Sequence, residues 1–373
     1  PETTLYFDDF RLVGRGKSVV ICDFESDNPF EGLERTEERA KSGRFSGKWE
    51  NLPVNPRVRC WRIPHDWTEF DALEFWAYSE KATGARIILV LDSEPPKPDR
   101  RAEEYVRKKF TWRYGNRDWT IQFDDKIDWA ANPTKGEART HLWNEALNRH
   151  FHFRTLARAY WETGLERYAE ALAEQWMDWI RSNPRPLYSS GNSPQNGCYA
   201  WQTLTTGIRL ESTWPEAFYR CLGSPAFTDE VIVTIMKSVA EQARHLMRWP
   251  TGGNWLTEES MGLFTAGMLF PEFKEAREWR RTAIERLYRQ LSGEVYPDGM
   301  EYELAAGYNN WVVSNMCNLL ERAELNDLRG EIPQDFDGKL EKMFDYLAYA
   351  SAPDRCLSAL NDSGRSNVRS LLA

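Results

Sequence analysis

The side chains that can move protons in this chain are few in kind and gathered in short stretches. Five carboxylates stand out: Glu258, Glu259, Asp298, Glu301 and Glu303. Two carboxyl groups flanking a glycosidic bond can hydrolyse it, so this set is raw material for a glycoside hydrolase. Glu258 and Glu259 are adjacent, and successive helical residues do not face one way, so they make a poor pair. The histidines are His65, His141, His150, His152 and His245. His245 lies on a helical segment just before Asn254 and is the best placed of them. A lone histidine on a helix more often packs than reacts. Asn254 precedes Trp255, where a helix is expected to begin, and Asn is a favoured N-cap. Tyr308 offers a phenol, a weak base at neutral pH unless cations lower its pKa. Arg209 can bind a carboxylate through two parallel hydrogen bonds or sit in a buried ion pair.

Metal chemistry has little to build on. Cys22, Cys60, Cys198, Cys221, Cys317 and Cys356 are scattered without the paired spacing of a zinc site, so no catalytic metal is expected. Asp8, Asp9, Asp23 and Glu25 could supply oxygens to a structural Ca²⁺, or simply serve as loop and cap residues.

Composition narrows the partners. A net charge of −9 argues against nucleic acid, whose phosphates need a basic surface. An acidic sugar polymer is still compatible, because a cleft can be locally basic. The 17 Trp, beside 15 Tyr and 18 Phe, suit rings that stack on sugars, although most are expected to fill helix interfaces. No apolar run reaches membrane-spanning length; the longest, Ile87 to Leu91, suits a buried strand. The chain opens on Pro1 rather than Met and stops within Ser370-Leu371-Leu372-Ala373. We expect the natural protein to be longer at both ends.

The elements that must position these groups fall into two halves. Residues 1–125 read as antiparallel β. Arg57 to Ile63 and Ala72 to Tyr78 alternate polar and apolar; Leu5 to Leu12, Val19 to Phe24, Ala85 to Leu91 and Trp119 to Phe123 complete the set. Many short strands with Gly, Pro and Asp turns indicate a β-sandwich. Residues 126–373 switch to helical periodicity. Helical patterns start at Leu142, at Tyr168 (stopped by Asn183-Pro184), at Val231, at Phe273, at Tyr302 and at Leu340. Consecutive helices with short connections pack as antiparallel pairs, and a run of such pairs often closes into an (α/α) toroid.

Two resemblances add to this reading. Phe70-Asp71-Ala72-Leu73-Glu74-Phe75-Trp76 is similar to sugar-binding-like jelly rolls, and Leu5 to Leu12 looks like the last strand of a preceding copy. In the helical half, five phrases resemble the heparinase II/III-like polysaccharide lyases. They are Leu147 to Phe153 with Leu156 to Tyr160; Trp201-Gln202-Thr203 with Gly207-Ile208-Arg209; Gly253-Asn254-Trp255-Leu256 with Glu258-Glu259; Phe270 to Ala276 with Trp279; and Pro297 to Leu304 leading to Tyr308. Their order matters more than any one of them.

The resemblance implies an N-terminal jelly roll, an incomplete (α/α) toroid, and β-elimination on a uronic-acid polysaccharide such as a glycosaminoglycan or alginate. It carries Asn254 over as neutraliser of the uronate carboxylate and Tyr308 as base, acid or both; His245, on the helix before the Asn254 loop, is added as a third catalytic candidate. Arg209, Trp201, Trp255, Glu303 and His150 become candidates for substrate binding, with Glu303 read as an orienter of Arg209 or of Tyr308, or as a structural residue. No cofactor is needed for the chemistry. Export to the periplasm or outside the cell is implied by the family alone. The sequence departs from many relatives by placing Trp255, not His, after the neutralising Asn. The segment Leu360 to Asn367 looks like the entrance to a C-terminal β-sheet domain that lies beyond this chain.

Overall fold

A computed structural model of the chain describes residues 4–50, 58–60, 62–64, 66–81, 97–194, 196–361 and 363–369. The residues divide into two compact units. One is Pro1–Pro98 with Trp161–Leu165; the other is Asp99–Tyr160 with Glu166–Ala373.

The first unit is built on β1 (Thr4–Gly14), whose residues are mostly buried. It pairs antiparallel with β2 (Lys17–Cys22), β5 (Ser46–Glu50) and β7 (Ala72–Ser79). β4 (Glu34–Thr36) adds to β5, while β3 (Phe30–Glu31) and β6 (Arg59–Cys60) form a separate antiparallel pair. Leu5, Phe7, Phe10, Cys22, Phe24 and Leu33 make the core, closed by Phe30, Trp49 and Phe75. The stacked rings of Phe10 and Phe75, 5.1 Å apart, tie β1 to β7. The opening segment is therefore the central strand of this sheet, correcting its reading as the tail of another module. The alternation of Ala72 to Tyr78 is a strand as expected, whereas Ala85 to Leu91 lies outside the described residues. Antiparallel β-structure is present; jelly-roll closure is not established by these strands.

The second unit opens with α1 (Arg100–Val106), capped by Asp99, whose carboxylate accepts the Ala102 N–H at 2.7 Å. The hairpin β8 (Lys109–Tyr114) and β9 (Arg117–Gln122) follows. The sequence reading put this hairpin before a boundary at residue 125; by contacts it groups with the helices. Then come α2 (Leu142–Asn148), α3 (Phe151–Thr163), α4 (Glu166–Ser182), α5 (Thr203–Ile208), α6 (Trp214–Cys221), α7 (Asp229–Arg248), α8 (Gly253–Leu269), α9 (Ala276–Gly293), α10 (Ala306–Leu325) and α11 (Phe336–Ala350). A short pair, β10 (Cys356–Leu357) and β11 (Ser366–Asn367), ends the described chain.

α8 is the hub. It packs against α5, α7, α9 and α10, and almost all of Thr257–Gly267 is buried. A helix buried on every side loses the one-sided apolar stripe, which is why it was the least legible from periodicity. Many tryptophans fill the interior: Trp143, Trp176, Trp179, Trp214 and Trp279 are among the largest fully buried side chains, while others, Trp255 among them, are only half-buried. The pattern from Leu142 to Leu156 is not one helix but two. His150 breaks it with φ of 59°, a left-handed conformation uncommon for a residue with a Cβ.

Candidate active site

The site is assembled from the N-terminus of α8, the turn before α10, and the first turn of α10. A helix leaves its first four N–H groups without intrahelical acceptors. In α8 the N-cap is Gly252 and makes no side-chain cap bond. Glu303, from the distant turn, takes that role: its carboxylate accepts the Asn254 backbone N–H at 2.8 Å and the Asn254 side-chain Nδ2–H at 2.8 Å. Asn254 is thus the second residue of the helix and not its cap, a correction to the N-cap reading. A carboxylate can only accept, so the amide nitrogen must face Glu303. One Nδ2 hydrogen and the Oδ1 atom are then left over from this contact.

Gly253 makes the approach feasible. Its φ is +59°, and a Cβ there would stand 2.2 Å from Glu303 Oε1 and 2.9 Å from the Tyr302 hydroxyl. Only glycine adopts this conformation freely and leaves the space.

The turn itself is held from several sides. Tyr296 and Met300 close it at 2.8 Å, with Gly299 at its tip at φ +90°. Glu301 donates its N–H to Asn309 Oδ1 at 3.0 Å and accepts the Glu303 N–H at 3.0 Å. Asn361 donates to the carbonyls of Glu303 and Leu304 at 3.1 and 2.9 Å, and Gly307 N–H donates to Ser363 at 3.0 Å. The segment read as a domain entrance therefore braces the site. Tyr308 lies half-buried in the first turn of α10, directly after this turn. Trp255, the next residue of α8 after Asn254, is also half-buried.

Four expected site residues lie elsewhere. Arg209 is 0% exposed. Its guanidinium donates to Gln242, to the Asn148 carbonyl and to Thr206, and lies 4.5 Å from the Trp179 ring. Burial lowers its pKa to about 9. His245 is 1% exposed; its Nε2 meets the carbonyls of Ser190 and Trp201 at 3.0 and 2.9 Å. Burial pulls its pKa down to about 4. His150 is fully buried and accepts a hydrogen bond from the Trp214 indole at 2.9 Å. Trp201 is also buried, and its indole donates to the Asn183 carbonyl at 2.9 Å. Side chains with almost no exposed surface cannot touch a polysaccharide. Burial speaks against the expected catalytic role of His245 and the expected substrate contacts of Arg209, Trp201 and His150; all four pack inside the helical unit.

The hydrolase alternative also weakens. Glu258, Glu259 and Glu301 are buried. Burial raises Glu258 to about 8 and Glu301 to about 7. Glu259 is tied to Thr251 at 3.0 and 2.7 Å. Glu303 is engaged by Asn254, and Asp298 caps the Met300 N–H at 3.1 Å. No two of the five stand free to flank a glycosidic bond in the way hydrolysis requires.

In the first unit, Asp8 accepts N–H groups of Asp9, Lys41 and Ser42. Asp9 pairs with Arg11, Asp23 accepts Glu25 N–H, and Glu25 accepts Arg44 and Phe45 N–H. These are loop-cap contacts, and among the described residues no group of three or more His, Cys, Asp or Glu converges as for a metal.

Sequence comparison matches residues 97–373 to the family described as heparinase II/III N-terminus. The chain belongs to the heparinase II/III family. A heparin-sulfate lyase of Bacteroides stercoris is 31% identical over 266 residues, which is 68% of this chain and 39% of that protein. One from Bacteroides thetaiotaomicron is 27% identical over 307 residues, 78% of this chain and 42% of that protein. The chain thus spans about two fifths of the length of these curated relatives. Among solved structures, a heparinase III superposes with a TM-score of 0.61 at 29% identity, covering 72% of this chain and 43% of that one. A heparan sulfate lyase from Pedobacter heparinus gives 0.58 at 28% identity, covering 69% and 40%. The Asn254–Glu303 site lies within the part of the chain that the family covers.

Sequence reasoning singled out Asn254, Tyr308 and Glu303; it expected Glu303 to orient Arg209 or Tyr308, whereas its carboxylate holds Asn254, and it did not pick out Asn361 as a brace or the burial of Glu301. Glu301 was visible inside the Pro297 to Leu304 phrase. Its burial was not.

Proposed function

We propose that this chain is part of a polysaccharide lyase that cleaves a uronic-acid glycosaminoglycan by β-elimination. The observation that carries the reading is the Asn254 amide at the start of α8, fixed by Glu303 of the turn that leads into Tyr308. The proton on C5 of a uronate is very weakly acidic while the neighbouring carboxylate keeps its charge. A hydrogen-bond donor to that carboxylate stabilises the enolate-like intermediate. The second Nδ2–H of Asn254 supplies one, and does so without titrating. Tyr308 takes the C5 proton and returns a proton to the leaving oxygen at C4. Water is not consumed.

Heparan-type polymers are favoured over alginate because the similar proteins are named heparin-sulfate lyases. The helical unit is read as part of an (α/α) toroid, and the first unit as a sugar-binding-like jelly roll. Export to the periplasm or beyond is proposed because the substrate is a polymer too large to enter a cell intact. No helix of the described residues is long and apolar enough to cross a membrane. A structural calcium in the first unit stays a proposal, and one that would require Asp8 and Glu25 to release the N–H groups they hold.

The test is ultraviolet absorbance of the unsaturated product on a panel of uronate polysaccharides, using this chain and a longer one. Elimination creates a C4–C5 double bond; hydrolysis never does. A signal that vanishes in Tyr308→Phe supports the reading. New reducing ends without absorbance would overturn it in favour of a hydrolase, and binding without cleavage by either chain would leave a glycan-binding protein.

A further inference from the structure

Behind the Asn254–Glu303 contact lies a small cavity lined by Thr257 of α8, Gln290, Leu291 and Glu294 at the end of α9, Val312 and Met316 of α10, and Glu301. Gln290 reaches across it, donating to the Gly253 carbonyl at 2.8 Å and to Glu294 at 2.9 Å. The cavity wall is therefore the back of the α8 N-terminus. Glu301 is 3% exposed. One of its oxygens accepts the Glu303 N–H at 3.0 Å; the other, Oε1, is buried without a partner.

We propose that Glu301 is a positioning residue for Asn254, acting through Glu303: as a neutral carboxyl it holds the turn that presents Glu303 to α8, and on ionisation it lets that turn go. The substrate side of this inference rests on the lyase reading above.

The argument is electrostatic and geometric. A carboxylate buried with an unpartnered oxygen is costly. Among the described residues no Lys or Arg lines the cavity. Among the described residues, the carboxylates acting on Glu301 are Glu294, the residue that ends α9, and Glu303 of its own turn; the adjacent Tyr302 phenol is itself raised by burial and by these carboxylates, and α8 and α10 contribute no titratable group to the lining. Burial, and then these two carboxylates, hold the Glu301 pKa up at about 7, against the Glu303 N–H bond that lowers it. Loss of the proton to solvent places a charge between two others. Relief comes by swinging Glu301 toward water, which breaks its bond to Glu303 N–H and loosens the carboxylate that aligns Asn254.

Glu301→Gln tests this. Glutamine keeps an acceptor for the Glu303 N–H and turns a donor toward the acidic cavity, but cannot ionise. A group titrating near 7 loses about thirtyfold of its neutral form between about pH 6 and about pH 8.5. Hydrogen exchange at the Asn254 and Glu303 amides, corrected for intrinsic rates, is expected to lose protection over that range in the native chain and to hold it in Glu301→Gln. In the lyase assay the variant's kcat profile is expected to extend to higher pH with KM little changed. Equal protection profiles in the two proteins would overturn the proposal. If the variant fails to fold, constant native protection across the range overturns it alone. The exchange measurement needs no substrate, so a silent assay would count against the lyase reading and not against Glu301.

Discussion

Glu303 grips Asn254 through two hydrogen bonds of 2.8 Å, one to the backbone N–H and one to the side-chain amide, across 49 residues of sequence. The same carboxylate thereby caps α8, where an anion is favoured by the helix dipole, and fixes the amide orientation. A role in stability and a role in positioning are joined in one contact.

Glu303→Gln should separate them. Glutamine can accept one N–H but sets its own amide nitrogen against a second donor. Loss of one aligned donor in a preorganised site costs on the order of 10²–10³ in rate, so kcat should fall by about that much. The melting temperature should drop by only a few degrees. Unchanged kcat would show that Asn254 is not aligned by this contact.

Asn254→Asp preserves shape while setting a carboxylate against Glu303. Product formation is expected to fall by about 10² or more. Because like charges at contact repel, thermal stability at pH 7 should also fall and recover on acidification. A variant with full activity would remove Asn254 from the mechanism.

Gly253→Ala meets both a positive φ and a 2.2 Å contact with Glu303. The expected loss is about 1–2 kcal/mol, with a larger fall in kcat as Glu303 is pushed off Asn254. Gly252→Ala is the control, since a Cβ there meets nothing within 4 Å. Equal effects from the two would contradict the packing described.

Stability should fall on acidification below about pH 6.5. Burial holds His152 down to about 3 and His245 to about 4, and pushes His150 well below its ordinary value. The unfolded chain binds these protons near 6.5 and the folded chain does not. Stability is full above pH 6.5 and is lost progressively toward the folded values. His152 is packed against Phe110 and Phe153, so His152→Phe should flatten the dependence of melting temperature on pH. An equal slope in the variant would exclude His152 as a source.

Arg209→Met should destabilise the chain without changing KM in the fraction that folds. Removing the guanidinium takes the donors from Gln242 Oε1 and the Asn148 carbonyl, at about 1–3 kcal/mol for each buried group left unpaired, while Thr206 keeps its bond to the Gln202 carbonyl. A raised KM with unchanged melting would restore Arg209 as a substrate ligand.

The sequence by itself determined the family, the antiparallel β-character of the first unit and most helix positions of the second, and it proposed the three residues taken as the centre of the site. Period-2 alternation in Ala72 to Tyr78 and the Asn183-Pro184 stop after α4 are local signals, written in side-chain direction and backbone sterics. The order of the five phrases placed Asn254, Glu303 and Tyr308. Only the tertiary structure decided which polar residues face solvent. Arg209, His245, Trp201 and His150 look like site residues by type, but burial is a property of the whole packing and leaves no local mark. The break at His150 likewise depends on a cage of rings from distant segments, among them Trp129, Trp179 and Trp214. Glu303 meets Asn254 because α8 is a hub enclosed by four helices, and the turn before one of them carries a carboxylate to its open end.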